Sequence, residues 1–275
     1  MTDEQPTPAP DHAALSFGRN ALAYDRGRPS YPAEAVAWLV GGDAQVVLEL
    51  GAGTGKLTAE LVAQGHAVHA VEPDAEMLAL LEARVPGCSA KQASAEEIPA
   101  HDKSVDVVVC ATSFHWFDHE RALPEIARVL KPGGHVAVVW NERDERIPWV
   151  RRLGDVLGRH DLDNTSQAVL VRSELFGFVE EKSFTHWQDI NRESIVDLAA
   201  SRSNIASLAD EAREAKLAEV LAFYDDYGRG MDGMQLPYRA RCFKAVVVKD
   251  DDPPEPEEPV VSDGTDTDML LIDFR

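Results

Sequence analysis

The segment from Ala44 to Trp140 alternates short apolar runs with amphipathic stretches, and this alternation allows only a few folds. The apolar runs AQVVLEL, AVHAVE, SVDVVVC and GHVAVVW are rich in β-branched residues. Such runs are typical of parallel strands that are buried on both faces of a sheet. The stretches between them, GKLTAELVAQG, DAEMLALLEARVPG and DHERALPEIARVLKPGG, predict helices. The alternation therefore predicts a doubly wound, mostly parallel α/β sheet.

The pattern changes after Trp140. The stretches IPWVRRLGDVLGRH and LADEAREAKLAEVLAFYDDYG predict helices, while EEKSFTHWQDI and QLPYRARCFKAVVV predict two late strands. We expect the late strands to form an antiparallel hairpin at the edge of a seven-stranded sheet. The helices between them would then cap a pocket. Arg202, in RESIVDLAASRSNIASL, is a candidate for the polar lining of that pocket, or else lies on a solvated face.

Composition excludes several classes of protein. The chain has 275 residues and is 44% hydrophobic, so it can bury a sizeable core. A formal net charge of −21 argues against a nucleic-acid or anionic-membrane surface. No apolar run has the length of a membrane span, and MTDEQPTPAPDH has no secretory pattern. Cys88, Cys110 and Cys242 are too widely spaced for a disulfide framework or a zinc site, so we expect a cytoplasmic protein without a metal.

Much of the negative charge lies at the C-terminus. The segment from Asp250 to Arg275 holds ten acidic residues and one basic residue, with many prolines and few aromatic residues. This composition predicts a disordered, solubilising tail. Its last residues, MLLIDFR, are apolar again, so a short docking motif for a partner or for the protein's own surface is the alternative.

The glycine-rich stretch VVLELGAGTGKLTAEL does not fit the two common nucleotide loops. A phosphate loop needs a glycine where Leu50 stands and a serine or threonine where Leu57 stands. A dinucleotide fingerprint accepts Gly51 and Gly53, but its third glycine position holds Lys56.

An acidic residue followed by three alternate glycines does fit: Glu49, Gly51, Gly53 and Gly55. This arrangement resembles motif I of the class I S-adenosylmethionine-dependent methyltransferases. Glycines at these positions let the backbone approach a ligand closely. The alternative is a tight strand-to-helix turn of some other α/β protein.

The resemblance implies a cofactor site. Glu72 ends the second predicted strand, where an acid about 20 residues after the glycine loop can hydrogen-bond both ribose hydroxyls. Met77 would face adenine, and the backbone at Ala95 or the carboxylate of Glu96 would address the adenine amino group. Glu96 can instead be an acid favoured by a helix dipole. The implied cofactor-binding residues are Glu49, Gly51, Ala52, Gly53, Gly55, Glu72, Pro73, Met77, Ala95, Glu96 and Thr112.

The segment FGRNALAYDRGRPSYPAEAVAWL resembles the lead-in of a bacterial and fungal subgroup of small-molecule methyltransferases with a Tyr…Arg-Pro-x-Tyr-Pro signature. In that subgroup the segment lies over the cofactor and forms part of a substrate lid. Tyr24 and Tyr31 would supply an aromatic wall, and Arg28 would supply a fixed cation for a carboxylate. Helix entry and core packing are the alternative, which stays open for Tyr31 and is favoured for Trp38.

The loop after the fourth strand, Thr112 to Trp116, should reach the same crevice, since open α/β sheets bind ligands at the carboxyl ends of their strands. His115 is the candidate catalytic base, able to accept a proton from a hydroxyl or amine. Alternatively, His115 and Trp116 form only a pocket wall. The candidate substrate-binding residues are Tyr24, Arg28, Tyr31, His115, Trp116 and Arg202.

Together these features predict a methyltransferase that acts on a small molecule, mainly by positioning its substrates. A protein that binds the cofactor without catalysis is the first alternative, and an NAD-dependent dehydrogenase is the second. The acceptor atom, the metabolite and the oligomeric state stay open. The predicted segments are 1–15 (disordered), 16–43 (lid), 44–141 (Rossmann-like, cofactor-binding core), 142–248 (cap and last two strands) and 249–275 (disordered tail).

Overall fold

The computed structural model describes residues 21–158, 165–227 and 233–248. The predictions made for segments 1–15 and 249–275 lie outside the described residues. Among the residues described, no helix combines the length and the apolar character needed to cross a membrane.

Seven strands form one sheet in the order β3-β2-β1-β4-β5-β7-β6. Strands β1 to β5 pair in parallel, while β7 runs antiparallel to both β5 and β6. The predicted parallel sheet with an antiparallel edge hairpin is therefore confirmed. The strands are β1 (Val46–Leu50), β2 (Ala67–Val71), β3 (Ser89–Lys91), β4 (Val105–Ala111), β5 (Leu130–Arg143), β6 (Glu180–Ile190) and β7 (Met234–Val246).

The predicted helices are present, and their ends follow local signals. Asp74 caps α4, where its side chain accepts hydrogen bonds from the backbone N–H groups of Glu76 and Met77. Pro148 occupies the first position of α6. The helices are α1 (Ala21–Gly27), α2 (Ala33–Val40), α3 (Lys56–Ala63), α4 (Ala75–Arg84), α5 (His119–Val129), α6 (Pro148–Leu157), α7 (Thr165–Arg172), α8 (Arg192–Ala200), α9 (Ser203–Ala206) and α10 (Asp210–Tyr227).

Strand β5 is longer than the sequence pattern predicts. It starts at Leu130, which pairs with Val105, and continues past Trp140 to Arg143. The extension is stable because β7 pairs with it along its whole second half, up to the pair of Arg143 with Tyr238. This pairing carries charged side chains to the end of the sheet where β1 and β4 also finish.

Both faces of the sheet are covered, as near-continuous apolar strands require. Val47 and Val109 pack beneath α2 and α3 on one face. Leu48 and Cys110, their neighbours in the strands, pack against α5 on the other face because successive side chains of a strand point to opposite sides.

The cap has a separate apolar core. Leu153 of α6, Leu198 of α8 and Val220 of α10 are almost completely buried in it. Helix α1 packs directly on α8 at Gly27, where a Cβ atom would lie 2.3 Å from the backbone nitrogen of Leu198. The N-terminal segment and the cap therefore meet above the carboxyl ends of the central strands.

Candidate active site

The glycine loop after β1 has a left-handed backbone conformation that favours glycine. Gly51 has a φ of 67°, and a Cβ atom built there would lie 2.5 Å from the Cβ of Ser113. Ser113 is fixed because its hydroxyl donates to the carbonyl of Leu50 at 2.7 Å. Glycine at this position therefore lets the loops after β1 and β4 approach each other.

Glu49 lies at the end of β1 and is 1% exposed. The hydroxyl of Thr58 donates to one of its carboxylate oxygens at 2.6 Å. Desolvation raises the pKa of Glu49 to about 8, and the nearby charge of Glu72 adds to the increase. A ligand that brings positive charge would favour the ionised form of this buried carboxyl.

Glu72 follows β2 and joins the glycine loop to the start of α4. Its carboxylate accepts hydrogen bonds from the backbone N–H of Gly53 at 2.8 Å and of Asp74 at 3.0 Å. Burial raises the pKa of Glu72, although these two hydrogen bonds oppose the shift. Since the cap of α4 is Asp74, Glu72 is not the capping residue of that helix. Its two oxygens keep lone pairs for further donors.

Thr112, directly after β4, has an unusual backbone conformation. Its φ of 58° is rare for a β-branched residue and stores strain. The structure holds it there by a backbone hydrogen bond to Val139 at 2.8 Å and by a contact of 3.1 Å between its hydroxyl and that of Tyr31. Backbone strain of this kind clusters at functional sites, so the conformation of Thr112 is typical of a loop at a binding site.

The N-terminal segment is tied to both the core and the cap. Asp25 of α1 accepts a hydrogen bond from Thr54 at 2.8 Å and pairs with Arg84. Arg28 donates to the hydroxyl and the carbonyl of Ser201 at 2.9 and 3.1 Å. These contacts hold the segment across the opening above the glycine loop.

His115 and Trp116 lie in a short 3₁₀ helix (Phe114–Trp116) with ring centroids 4.7 Å apart. His115 is exposed, which limits its desolvation. Desolvation and the positive charges of Arg28 and His119 nevertheless all disfavour the protonated ring. They lower the pKa of His115 to about 4, so its ring is neutral at physiological pH.

A cavity of about 570 Å³ lies between the N-terminal segment, the strand ends and the cap. It brings together Tyr24, Arg28, Tyr31, Glu49, Gly51, Ala52, Gly53, Thr112 and Arg202 from the predicted site. Arg202 lines the cavity, and since it is 1% exposed it does not lie on a solvated face. The sequence left two roles open for Tyr31. Tyr31 lines the cavity, and it also packs against the apolar residues around α2.

Other predicted residues are not part of the lining of this cavity. Gly55 faces Leu81, whose Cγ would be 2.9 Å from a Cβ at Gly55, so this glycine serves helix packing. Glu96 accepts a hydrogen bond from the backbone N–H of Asp118 at 2.9 Å. Ala95 belongs to the apolar core. The predicted residues outside the lining are Gly55, Glu72, Pro73, Met77, Ala95, Glu96, His115 and Trp116.

Several polar and charged lining residues were not predicted from the sequence. They include Asn141, Glu142 and Arg143 at the end of β5, Asp144, Glu145 and Arg146 directly after it, and Tyr238, Arg239 and Arg241 on β7. The signal for the first group was the run NERDER at the end of a predicted strand, where ligand sites lie in open sheets. The second group is revealed only by the pairing of β7 with β5.

The sheet order, the acid-and-glycine loop and the second acid after β2 together define a class I S-adenosylmethionine-dependent methyltransferase. Comparison with known proteins agrees: residues 48–138 match the family model described as a methyltransferase domain. The chain belongs to this family, and its cofactor is S-adenosylmethionine.

Particular relatives cover most of the chain. An uncharacterized methyltransferase of Mycobacterium tuberculosis is 44% identical over 237 residues, which are 85% of this chain and 96% of the relative. A methyltransferase-like protein of Schizosaccharomyces pombe is 36% identical over 84% of this chain and 94% of its own length. A solved structure from Anaeromyxobacter dehalogenans, named as a type II methyltransferase, shares the fold with a TM-score of 0.60 and 23% identity. That likeness covers 80% of this chain and 97% of the other.

The residues of the loop fit this cofactor chemically. Glu49 and Glu72 are buried carboxylates whose pKa values are raised by desolvation, and a ligand with an ammonium group and donor hydroxyls would satisfy both. Glu72 lies beside the glycine loop, to which it is joined by the hydrogen bond from the backbone N–H of Gly53. Glu49 lines the cavity itself.

Proposed function

We propose that this methyltransferase acts on a small-molecule acceptor bound in the cavity between the lid segment and the cap. The cavity volume of about 570 Å³ carries the proposal, because clefts of roughly 300–1,000 Å³ are typical of small-ligand sites. Its lining runs from Gly53 in the glycine loop to Tyr238 on β7. Such a cavity has room for a metabolite beside the cofactor loop.

We assign the cofactor to the loop end of the cavity. Glu72 would accept hydrogen bonds from the ribose hydroxyls, and Glu49 would attract the ammonium group. When bound, S-adenosylmethionine supplies a methyl group on a sulfonium that needs no further activation.

The protein's own contribution is mainly positioning and exclusion of water. Tyr24 and Tyr31 wall the cavity, and Arg28 holds the lid segment on the cap through Ser201. His115 is the candidate base, but a pKa of about 4 makes it a weak one. We therefore expect His115→Gln to lower kcat modestly, without moving the pH profile.

Methyl transfer is tested by incubating the purified protein and a metabolite extract with methyl-labelled S-adenosylmethionine. Mass spectrometry should show one compound that gains a labelled methyl group. Calorimetry with S-adenosylhomocysteine, NAD and ATP is run in parallel, and only the first should bind. Binding of S-adenosylhomocysteine without any methylated product would favour the non-catalytic binding protein.

A cytoplasmic location is proposed as well. Cys88, Cys110 and Cys242 are all free thiols, and Cys110 and Cys242 are buried. Reduced thiols fit a reducing compartment. Cell fractionation with an antibody against the protein tests this, and recovery in a secreted or membrane fraction would contradict it.

A further inference from the structure

Three arginines from distant parts of the sequence meet at the end of the cavity that faces the cap. Arg28 follows α1, Arg143 ends β5, and Arg202 precedes α9. All three line the cavity. Tyr238, which pairs with Arg143 across β5 and β7, lies among them.

The cluster is strongly desolvated. Arg202 is 1% exposed, and the side chain of Arg143 is 9% exposed. Desolvation, together with the positive charges of Arg143 and Arg28, lowers the pKa of Arg202 to about 9. Buried cations destabilise a fold unless an opposite charge compensates them.

The donors of the cluster are only partly used. Arg202 donates to the carbonyls of Leu157 at 3.2 Å and Gly158 at 2.7 Å. Arg143 differs, because its Nε is buried and has no hydrogen-bond partner among the described residues. Buried guanidinium donors without partners are rare and call for an explanation.

Most carboxylates near the cluster are paired with other arginines. Glu145 is paired with Arg143 at 3.4 Å. Glu142 is paired with Arg239 and Arg241 at 3.3 and 3.1 Å. Asp144 is likewise paired with a different arginine at 2.6 Å. Among the described residues, Glu145 is therefore the one carboxylate paired with any of the three guanidinium groups, in a chain whose net charge is −21.

We propose that Arg28, Arg143 and Arg202 bind an anionic group of the methyl acceptor, either a carboxylate or a phosphate. Arg143 is the principal cation of the site, because among the described residues its guanidinium makes one long side-chain contact, to Glu145. Arg28 and Arg202 add positive charge around it. A guanidinium presents donors that match the oxygens of both groups. The acceptor is then an organic acid or a phosphate ester, and this inference rests on the proposed function.

Binding of defined anions tests the site on the full-length protein loaded with S-adenosylhomocysteine. Succinate and inorganic phosphate are titrated separately by calorimetry, with succinamide as the neutral control. Binding of succinate alone indicates a carboxylate site, and binding of phosphate alone indicates a phosphate site. Either result supports the proposal, whereas binding of neither anion, or equal binding of succinamide, overturns it.

Variants of Arg143 separate anion binding from a structural role. Arg143→Met keeps the side-chain volume and should weaken binding of the anion about ten- to a hundredfold, as loss of a charged hydrogen bond does. Arg143→Lys should restore part of it. Arg213→Gln on α10 removes one positive charge that is not part of the cavity lining and should leave the anion affinity unchanged. Unchanged anion affinity in Arg143→Met would overturn the assignment. If the methionine variant does not fold, the anion affinity of Arg143→Lys is compared with that of the wild type instead.

The labelled extract distinguishes this inference from the proposed function. A methylated product whose unmethylated precursor carries a carboxylate or phosphate supports both. A product whose precursor has no anionic group leaves the methyltransferase function intact and shows the anion site to be wrong. Absence of S-adenosylhomocysteine binding would instead remove the proposed function itself.

Discussion

Replacing Glu49 with glutamine tests whether the buried carboxyl at the end of β1 meets the positive charge of the cofactor. Burial raises the pKa of Glu49 to about 8, so the unbound protein holds this group mostly neutral at pH 7. Binding of a cation should therefore release a proton from Glu49. Glutamine has the same shape and keeps an oxygen for the hydroxyl of Thr58, but it cannot ionise.

The size of the effect follows from the state of the carboxyl. Above pH 8 the wild-type carboxylate is charged, and a charged hydrogen bond contributes about 1.5–3 kcal/mol. The Glu49→Gln variant should then bind the cofactor about ten- to a hundredfold more weakly. Below pH 8 the wild-type advantage falls about tenfold per pH unit, so the two proteins should converge near about pH 6.

Calorimetry with S-adenosylmethionine between pH 6 and 8.5 measures the ratio of the wild-type and variant cofactor affinities. Repeating it in buffers with different ionisation enthalpies counts the protons released on binding. The cofactor's own amino group titrates equally in both experiments, so the ratio of the two affinities reports Glu49 alone. A ratio that stays constant across this pH range, with no proton release specific to the wild type, would refute the reasoning.

The free energy of unfolding should also depend on the ionisation of Glu49, and this contribution should decrease as the pH rises. The folded-state pKa of Glu49 is raised from 4.5 to about 8, so folding favours the neutral carboxyl. This stabilising contribution is fully present below the unfolded pKa and is lost as the pH rises through the folded pKa. Without cofactor, the melting temperature of the wild type should therefore fall relative to Glu49→Gln between pH 5 and 8.

Three further substitutions test the surrounding geometry. Glu72→Gln loses one of two charged hydrogen bonds to backbone N–H groups, so both the melting temperature and the cofactor affinity should fall, the latter about tenfold. Gly51→Ala brings a Cβ to 2.5 Å from Ser113 and should yield little folded protein on expression, whereas Gly42→Ala meets nothing within 4 Å and should fold normally. Tyr31→Phe removes the hydroxyl contact to the strained loop after β4 and should lower the unfolding free energy in urea by about 1 kcal/mol.

The sheet could be predicted from the sequence because its signals are local. The run at Val105–Ala111 is apolar except for Asp106, and this near-continuity already indicates a strand covered on both faces. The cap of α4 at Asp74 was also readable, since capping depends on neighbouring residues only. The glycine loop and Glu49 were recognisable for the same reason.

The far end of the cavity could not be predicted because it depends on pairing between distant segments. Arg143 and Tyr238 meet only because β7 runs antiparallel beside β5. Nothing local in the stretch containing Tyr238 indicates which strand it joins or in which register. The positive φ of Thr112 is equally hidden, since threonine has no preference for that conformation.

The overall charge of the chain is a poor guide to what its cavity binds. A net charge of −21 argues against a broad anionic surface such as nucleic acid. Interactions between exposed charges are screened beyond about 8 Å at physiological ionic strength, while buried charges are screened much less. Arg143 and Arg202 are buried, and much of the negative charge belongs to the acidic segment after Lys249. A small anion inside the cavity therefore responds chiefly to the guanidinium groups around it, so an acidic protein can bind an acidic substrate.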